Sequence, residues 1–222
     1  MKIDSLVVPI EARHPVIFID TYEDLRFVHE LLRIKNDDFF IKLNGNEIKL
    51  ITDYESNGGV PGLDFSVQLT NIRSAVKAQM ITVNLFKYID ISDSDSGKER
   101  AIMIKDSIPL LNASKQILMF IGPNPTVSTI LSRDHMVFNF SLMDSDDIRK
   151  YIESYVNQMS SLVKQAGDSK TWSQGKMVSA KSAYVLDYSD DEYRKIAMSA
   201  TGLTKNEMTL AFSDSLKEKG KL

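Results

Sequence analysis

Short apolar runs that alternate with amphipathic stretches constrain the fold of this chain more than any other feature. Runs such as Ile-Leu-Met-Phe-Ile at residues 117–121 lack polar alternation, which is typical of strands buried on both faces. Such strands need helices on both sides, so the pattern predicts an α/β fold with a mostly parallel sheet. Strands are predicted at residues 16–20, 47–52, 80–85, 101–105, 116–121 and 136–140.

Amphipathic segments fill the intervals between these runs. Two polar stretches, residues 54–62 and 90–99, are predicted to be loops, and beyond residue 143 we expect only helices and one polar link, residues 167–174. The sequence therefore predicts an α/β core over residues 1–143 and a helical subdomain over residues 144–222. Helices are predicted at residues 22–34, 71–78, 108–113, 126–132, 146–165, 190–200 and 205–219.

Composition excludes several classes of function. The net charge is −3, whereas an obligate nucleic-acid binder usually carries a basic face. The absence of cysteine excludes disulfides, thiolate nucleophiles and cysteine-ligated metals, and His14, His29 and His135 lack the spacing of metal ligands. No apolar run reaches transmembrane length, and the N-terminus lacks the apolar centre of a signal peptide. We therefore expect a soluble, cytoplasmic protein that binds no metal.

The order of elements in residues 116–156 is characteristic. A buried strand is followed by a polar residue, a short helix, an arginine, a second strand and a helix that an acidic turn opens. This order resembles the second half of an AAA+ ATPase core. The resemblance places Asn124 near the polar sensor position and Arg133 where the family often has an arginine. The acidic turn, with Asp144 at its start, is interpreted as the N-terminal cap of the first lid helix.

Two further segments are similar to AAA+ motifs. Gly202-Leu203-Thr204 with Glu207 resembles the end of an AAA+ lid, and it predicts that Gly202 ends one helix while Thr204 and Glu207 form a capping box at the next. Residues 100–107 (RAIMIKDS) resemble a Walker B strand, with Asp106 at the position of the magnesium-binding aspartate. Ser107 stands in the place of the catalytic glutamate, so the resemblance implies that the base is missing.

The N-terminal phrase points to one branch of this superfamily. Residues 12–24 read Ala-Arg-His-Pro, then an apolar strand, an acidic turn and the start of an amphipathic helix. This phrase resembles the non-catalytic N-terminal domain of the AAA proteins encoded in algal plastid and cyanobacterial genomes. In that branch an active ATPase domain follows. The resemblance therefore implies either that the natural gene continues past Leu222 or that this is a stand-alone version.

The position of the phosphate-binding loop lacks the residues that bind phosphate. A P-loop needs Gly-x-x-x-x-Gly-Lys-Ser/Thr between a strand and a helix, because its backbone N–H groups and its lysine hold the phosphates. Residues 20–24 have neither glycine nor lysine and carry the carboxylates of Asp20, Glu23 and Asp24. We expect Asp20 or Thr21 to cap the helix, with Asp24 as the capping-box partner of Thr21. A triphosphate would be repelled there.

These observations predict a catalytically degenerate AAA+-like module with no cofactor. It would act as a regulatory, scaffolding or assembly domain beside an active ATPase, and its partner would be an AAA+ ATPase domain or copies of itself. Arg133 is the interface candidate, either reaching a neighbour's nucleotide or forming a structural salt bridge. Two alternatives stay open: a nucleotide-binding AAA+ ATPase with an unorthodox site, and an inactive clamp-loader-like subunit associated with nucleic acid.

Overall fold

A mostly parallel sheet forms the centre of the first part of the chain, as the apolar runs predict. Its strands lie in the order β3-β2-β4-β5-β1-β6, and only β2 and β3 pair in antiparallel fashion. In this computed structural model the strands are β1 (Val16–Asp20), β2 (Phe39–Leu43), β3 (Asn46–Glu47), β4 (Ile81–Lys87), β5 (Gln116–Gly122) and β6 (His135–Asn139).

The structure describes residues 3–34, 39–43, 46–47, 65–74, 80–166, 170–173, 176–179 and 184–222. The chain divides into two compact units, Met1–Ser141 and Leu142–Leu222. The predicted loop at residues 54–62 lies outside the described residues, as does most of the predicted strand at residues 47–52. The helices are α1 (Val7–Glu11), α2 (Asp24–Ile34), α3 (Phe65–Ser74), α4 (Asp95–Ser114), α5 (Ser145–Ala166), α6 (Asp190–Ser199) and α7 (Lys205–Lys219).

Helices cover both faces of the sheet. Successive residues of a strand point to opposite faces, so Ile17 and Ile19 of β1 join the apolar cluster that contains α1 and α2. Val16 and Phe18 join the cluster on the other face, which contains α3 and α4. The sheet is therefore buried on both sides, which explains why its central strands are apolar throughout.

The strand order brings four strand ends together at one edge of the sheet. The parallel register places Asp20 opposite both Gly122 and Asn139, and it places Lys87 opposite Ile121. We call this edge, with the residues that follow β1, β4, β5 and β6, the carboxyl edge. Ligands of open α/β sheets bind at such an edge.

The second unit has its own core and contains α5, α6 and α7. The pair Thr204 and Glu207 forms the predicted capping box at the start of α7, and Gly202 has a φ of +90°. The capping box is confirmed, whereas α6 already ends at Ser199 with Ala200 as its C-cap, so Gly202 lies in the turn that follows the helix. Asp144 accepts hydrogen bonds from the backbone N–H groups of Asp146 and Asp147, so it caps α5. The core of this unit consists chiefly of Ile148, Ile152, Val156, Met208 and Phe212.

One predicted strand is a helix. Residues 101–105 lie in the middle of α4, where Ala101, Ile104, Ser107 and Leu111 are buried while Ile102 is about half exposed. Buried positions spaced by three or four residues are the signature of a helix rather than of a buried strand. The run Ile-Met-Ile is therefore one turn of an amphipathic helix, and the Walker B assignment of residues 100–107 is wrong.

Other elements also differ from the predictions. The strand β2 was not predicted, and residues 126–132 contain only a 3-10 turn at Thr129–Leu131. Helix α4 begins at Asp95, inside the predicted loop 90–99. After residue 143, a hairpin of β7 (Lys170–Ser173) and β8 (Lys176–Ser179) replaces part of the predicted polar link. None of the helices in the described residues is both long and apolar enough to span a membrane.

Candidate functional site

The connection between β1 and α2 is too short to surround a phosphate. Only Thr21, Tyr22 and Glu23 separate the end of the strand from the start of the helix, whereas a P-loop needs about eight residues. The N–H of Thr21 donates to the carbonyl of Gly122 at 3.2 Å, and the N–H of Glu23 donates to the Thr21 hydroxyl at 3.0 Å. Two of the N–H groups that would face a ligand are thus used internally.

The expected capping box between Thr21 and Asp24 does not form. The Thr21 hydroxyl accepts a hydrogen bond from Glu23, two residues along, and Asp24 instead pairs with Lys87 at the end of β4. The Asp24 carboxylate lies 2.7 Å from the Lys87 ammonium group, and the two side chains are 17% and 21% exposed. This ion pair spans the end of β5, because β5 separates β4 from β1 in the sheet.

Asn124, the sensor-like residue, lies beside the β1–α2 turn. Its backbone N–H donates to the Asp20 carboxylate at 2.8 Å, and its side-chain amide donates to the Tyr22 hydroxyl at 2.6 Å. Asn124 adopts a φ of +47°, a left-handed conformation that asparagine tolerates better than most residues. The structure therefore brings together two of the residues singled out in the sequence, Asp20 and Asn124, and adds Tyr22 to them.

A buried ion pair secures the start of α2. The Glu23 side chain is 3% exposed, and its carboxylate accepts a hydrogen bond from Nε of Arg26 at 2.7 Å. The Arg26 guanidinium also donates to the carbonyl of Ser141 and lies 4.2 Å from the centre of the Phe140 ring. These contacts join α2 to the segment that follows β6. Sequence reasoning did not identify Arg26, because its partners are known only once the strand order is known.

Tyr88 follows β4 and was also missed. Its ring is 64% exposed and lies over Gly122, where an added Cβ would come within 3.4 Å of the ring. Desolvation raises the pKa of the Tyr88 hydroxyl, and the nearby Asp24 carboxylate raises it further. Tyr88 therefore presents a neutral phenol and an exposed aromatic face at the carboxyl edge.

A small cleft opens next to Tyr88, between the ends of β4 and β5. It encloses about 210 Å³, with the buried rings of Phe18 and Phe120 in its wall and Asp90 and Pro125 among its lining residues. Ordinary small-molecule sites are larger, at roughly 300–1,000 Å³. The cleft has the size of one side chain. The pKa of Asp90 is lowered to about 2, mainly by its hydrogen bond from the Ser94 hydroxyl.

Asp106 lies away from the candidate site. It is exposed in the middle of α4 instead of ending a strand, so it cannot be a Walker B-like residue. The strand that precedes β5 and lies beside it is β4. The position at the carboxyl edge that corresponds to the Walker B aspartate is therefore near Lys87, at the end of β4.

Arg133 lies on the side of the sheet opposite the carboxyl edge, near the amino-terminal ends of β1 and β6. It is exposed in the turn before β6, whose first residue, His135, pairs with Val16 at the start of β1. Arg133 makes no hydrogen bond or ion pair with any residue that the structure describes. The five residues of β1 separate this turn from the carboxyl edge by about 13 Å, at ~3.3 Å per residue. Arg133 therefore does not belong to the group around Asp24.

Comparison with known proteins identifies the fold. No protein-family model matches the chain, and no curated protein sequence matches it either. Among solved structures, the chain is similar to PCH-2 of C. elegans, an AAA+ ATPase, with a TM-score of 0.52. The match covers 99% of this chain and 62% of the PCH-2 chain, at 12% sequence identity.

The chain has an AAA+-like fold. At 12% identity the likeness concerns the fold alone, and the chain spans less than two thirds of the PCH-2 chain. In P-loop ATPases a lysine begins the helix after the phosphate-binding loop, and an aspartate that holds Mg²⁺ ends a neighbouring strand. In this chain the acid, Asp24, begins the helix and the base, Lys87, ends the strand. The charges are thus reversed with respect to the ATPase pattern.

Proposed function

We propose that this chain is a catalytically degenerate AAA+-like module that acts through protein contacts beside an active ATPase. Its role would be regulation, scaffolding or assembly, without hydrolysis and without a cofactor. The observation that carries the proposal is the reversed ion pair of Asp24 and Lys87. A bound nucleotide would bring phosphate to a helix start that carries a carboxylate, and it would bring Mg²⁺ to a strand end that carries an ammonium group.

The surrounding contacts support the same proposal. Glu23, which replaces part of the phosphate-binding loop, is buried and paired with Arg26. The sensor-like Asn124 uses its N–H groups on Asp20 and Tyr22. A nucleotide would have to break these contacts and open a three-residue turn. The polar groups of the carboxyl edge are therefore arranged for the protein's own stability.

Arg133 is proposed as a contact residue rather than a structural one. It is exposed and has no partner among the described residues, so the structure offers no salt bridge that it would stabilise. Because it lies about 13 Å from this chain's own carboxyl edge, at ~3.3 Å per residue of β1, we expect it to act on another molecule and not on that edge. An AAA+ ATPase that places a nucleotide at a subunit interface would be such a molecule.

We also propose that the chain is related to the non-catalytic N-terminal domain of plastid- and cyanobacterial-type AAA proteins. This relation rests on the phrase at residues 12–24. It makes an active AAA+ domain the first partner to test, and a cytoplasmic-type compartment the expected location. The net charge of −3 gives no support to the alternative of a nucleic-acid-associated subunit.

The test is reconstitution with an ATPase partner. Cross-linking and affinity purification from the source organism would recover AAA+ proteins that bind the tagged chain, and purified partner would then be assayed with and without it. We expect the chain to change the partner's ATPase rate, and Arg133→Ala to reduce that change. A matched control is Arg194→Ala, since Arg194 is also exposed and lies in α6. Hydrolysis of ATP by the purified chain alone would contradict the proposal.

A further inference from the structure

We propose that the cleft beside Tyr88 binds one large apolar side chain, phenylalanine or leucine, of a basic segment on a partner protein. This inference rests on the proposed function, since it assumes that the module acts by protein contact, and it names the surface and the chemistry of one such contact. Three features of the cleft carry it, namely its apolar wall, the backbone conformation of Tyr88 and the acidic residues at its rim.

The wall of the cleft is apolar and preformed. The ring of Phe120 stacks between those of Phe18 and Phe86, with centroid distances of 5.1 and 5.3 Å. Pro123 and Pro125 also line the cleft, and the proline ring restricts the backbone. A wall that is already ordered loses little conformational entropy when a ligand covers it. With a volume of about 210 Å³, the cleft therefore fits a single apolar anchor.

Tyr88 is exposed in an unfavourable backbone conformation. Its ring is 64% exposed, and its φ of +52° lies in the left-handed region, which bulky residues rarely adopt. It is the only aromatic residue among the described non-glycine residues with a positive φ. Glycine would suit this backbone better, so stability alone does not account for a tyrosine here. Backbone strain is concentrated at functional sites, and tyrosine is enriched at protein interfaces.

Acidic side chains lie at the rim of the cleft. Asp90 lines it, and its carboxylate accepts a hydrogen bond from the Ser94 hydroxyl. Asp93 follows in the same loop and accepts a hydrogen bond from the Ser128 hydroxyl. These bonds hold both carboxylates in place and lower the pKa of each, so both are charged at neutral pH.

The negative charge of the rim is not neutralised locally. Neither Asp90 nor Asp93 forms an ion pair with a residue that the structure describes, and the guanidinium of Arg100 donates to the backbone carbonyl of Asp90. Residues 90–100 carry four acidic and two basic side chains. A partner segment with lysine or arginine on either side of its apolar residue therefore matches the rim in charge.

NMR titration of the isotope-labelled chain with three pentapeptides tests the inference. Lys-Lys-Phe-Lys-Lys has the anchor and the charge, Lys-Lys-Ser-Lys-Lys lacks the anchor, and Glu-Glu-Phe-Glu-Glu reverses the charge. We expect the first peptide to bind with a Kd of about 1 mM or tighter and to shift the amide signals of Tyr88, Asp90 and Gly122. The other two should bind at least about tenfold more weakly, because they lose the apolar contact or meet like charges.

Tyr88→Asn separates the contact from the fold. Asparagine tolerates the left-handed region, so the melting temperature should be unchanged or raised. The affinity for Lys-Lys-Phe-Lys-Lys should nevertheless fall by about fivefold or more, since the ring beside the cleft is lost. The matched control is Val8→Asn, because Val8 is 68% exposed on α1, which packs on the other face of the sheet. This variant should bind the peptide like the wild type.

Two outcomes would overturn the inference. One is the absence of binding of Lys-Lys-Phe-Lys-Lys at about 5 mM, or equally strong binding of the serine peptide. The other is a folded Tyr88→Asn chain that binds like the wild type. If Tyr88→Asn fails to fold, the peptide comparison on the wild type decides alone. A negative result would leave the proposed contact with an ATPase intact, because that contact is measured separately through the ATPase rate.

Discussion

The carboxylate of Asp24 lies 2.7 Å from the ammonium group of Lys87, although the two residues belong to elements on either side of β5. The pair links the first turn of α2 to the end of β4, at the edge where open α/β sheets bind ligands. An acidic side chain in the first turn of a helix also interacts favourably with the helix dipole. The protein thus supplies from its own side chains the negative charge that a phosphate would bring.

The ion pair should stabilise the first unit measurably. Both side chains are mostly buried, so a double-mutant cycle of Asp24→Ala and Lys87→Ala should give a coupling free energy of about 1–2 kcal/mol in urea unfolding. The cycle is needed because both residues have further contacts that the single variants would also remove.

A second ion pair provides the control for this cycle. Lys105 and Asp134 are also 2.7 Å apart, but their side chains are 47% and 28% exposed. Water screens such a pair, so its coupling should be below about 1 kcal/mol. Equal coupling in the two pairs would show that the burial of Asp24 and Lys87 has no effect.

Removal of Arg26 should be more damaging. Arg26→Ala would leave the buried Glu23 carboxylate without its described cation, and it would remove the contacts with Ser141 and Phe140. We expect a loss of about 3 kcal/mol in the free energy of unfolding. Arg33→Ala, an exposed arginine on the same helix, should change it by less than about 0.5 kcal/mol. Similar losses for both variants would argue against the buried network.

Arg133→Ala should leave the stability of the chain unchanged. The side chain is exposed and makes no described polar contact, so its truncation should alter the free energy of unfolding by less than about 0.5 kcal/mol. Thermal and urea unfolding would measure the effect. A clear loss of stability would indicate a structural role for Arg133 and would contradict its proposed role as a contact residue.

The loop before α4 should weaken in acid. Hydrogen bonds from Ser94 and Ser92 lower the pKa of Asp90 from 3.8 to about 2. Because the folded-state pKa is depressed, the stabilisation is complete above about pH 4 and is lost as the pH falls towards 2. The melting temperature of the wild type should therefore approach that of Asp90→Asn over this range. A difference between the two proteins that does not change with pH would contradict this assignment.

The elements that were predicted correctly have strong local signals. Residues 16–20 form a continuous apolar run before an acidic turn, and the start of α7 has a capping box that is visible in four residues. Residues 101–105 were misassigned because a short apolar run has the same appearance in a buried strand and in a helix. The helix is distinguished from a strand only by the intervals of three and four residues between its buried positions from Ile104 to Leu111.

The candidate site was predictable only in part. The acidic turn and Asn124 were found from local sequence, since each follows a recognisable strand. Lys87 could not be assigned as the partner of Asp24, because 62 residues separate them in the chain and the pairing depends on β4 lying beside β5. Because residues 101–105 were assigned to a strand, Asp106 was given the Walker B-like position that lies at the end of β4 in the structure.

Calorimetric titration with Mg-ATP tests most directly whether the carboxyl edge is unable to bind a nucleotide. The measurement needs only the purified chain, with the Asp24→Ala and Lys87→Ala variants as a check on the role of the ion pair. We expect no specific binding heat from the wild type, which corresponds to a Kd weaker than about 1 mM, or about −4 kcal/mol. A Kd of about 10 μM or tighter would contradict the central claim.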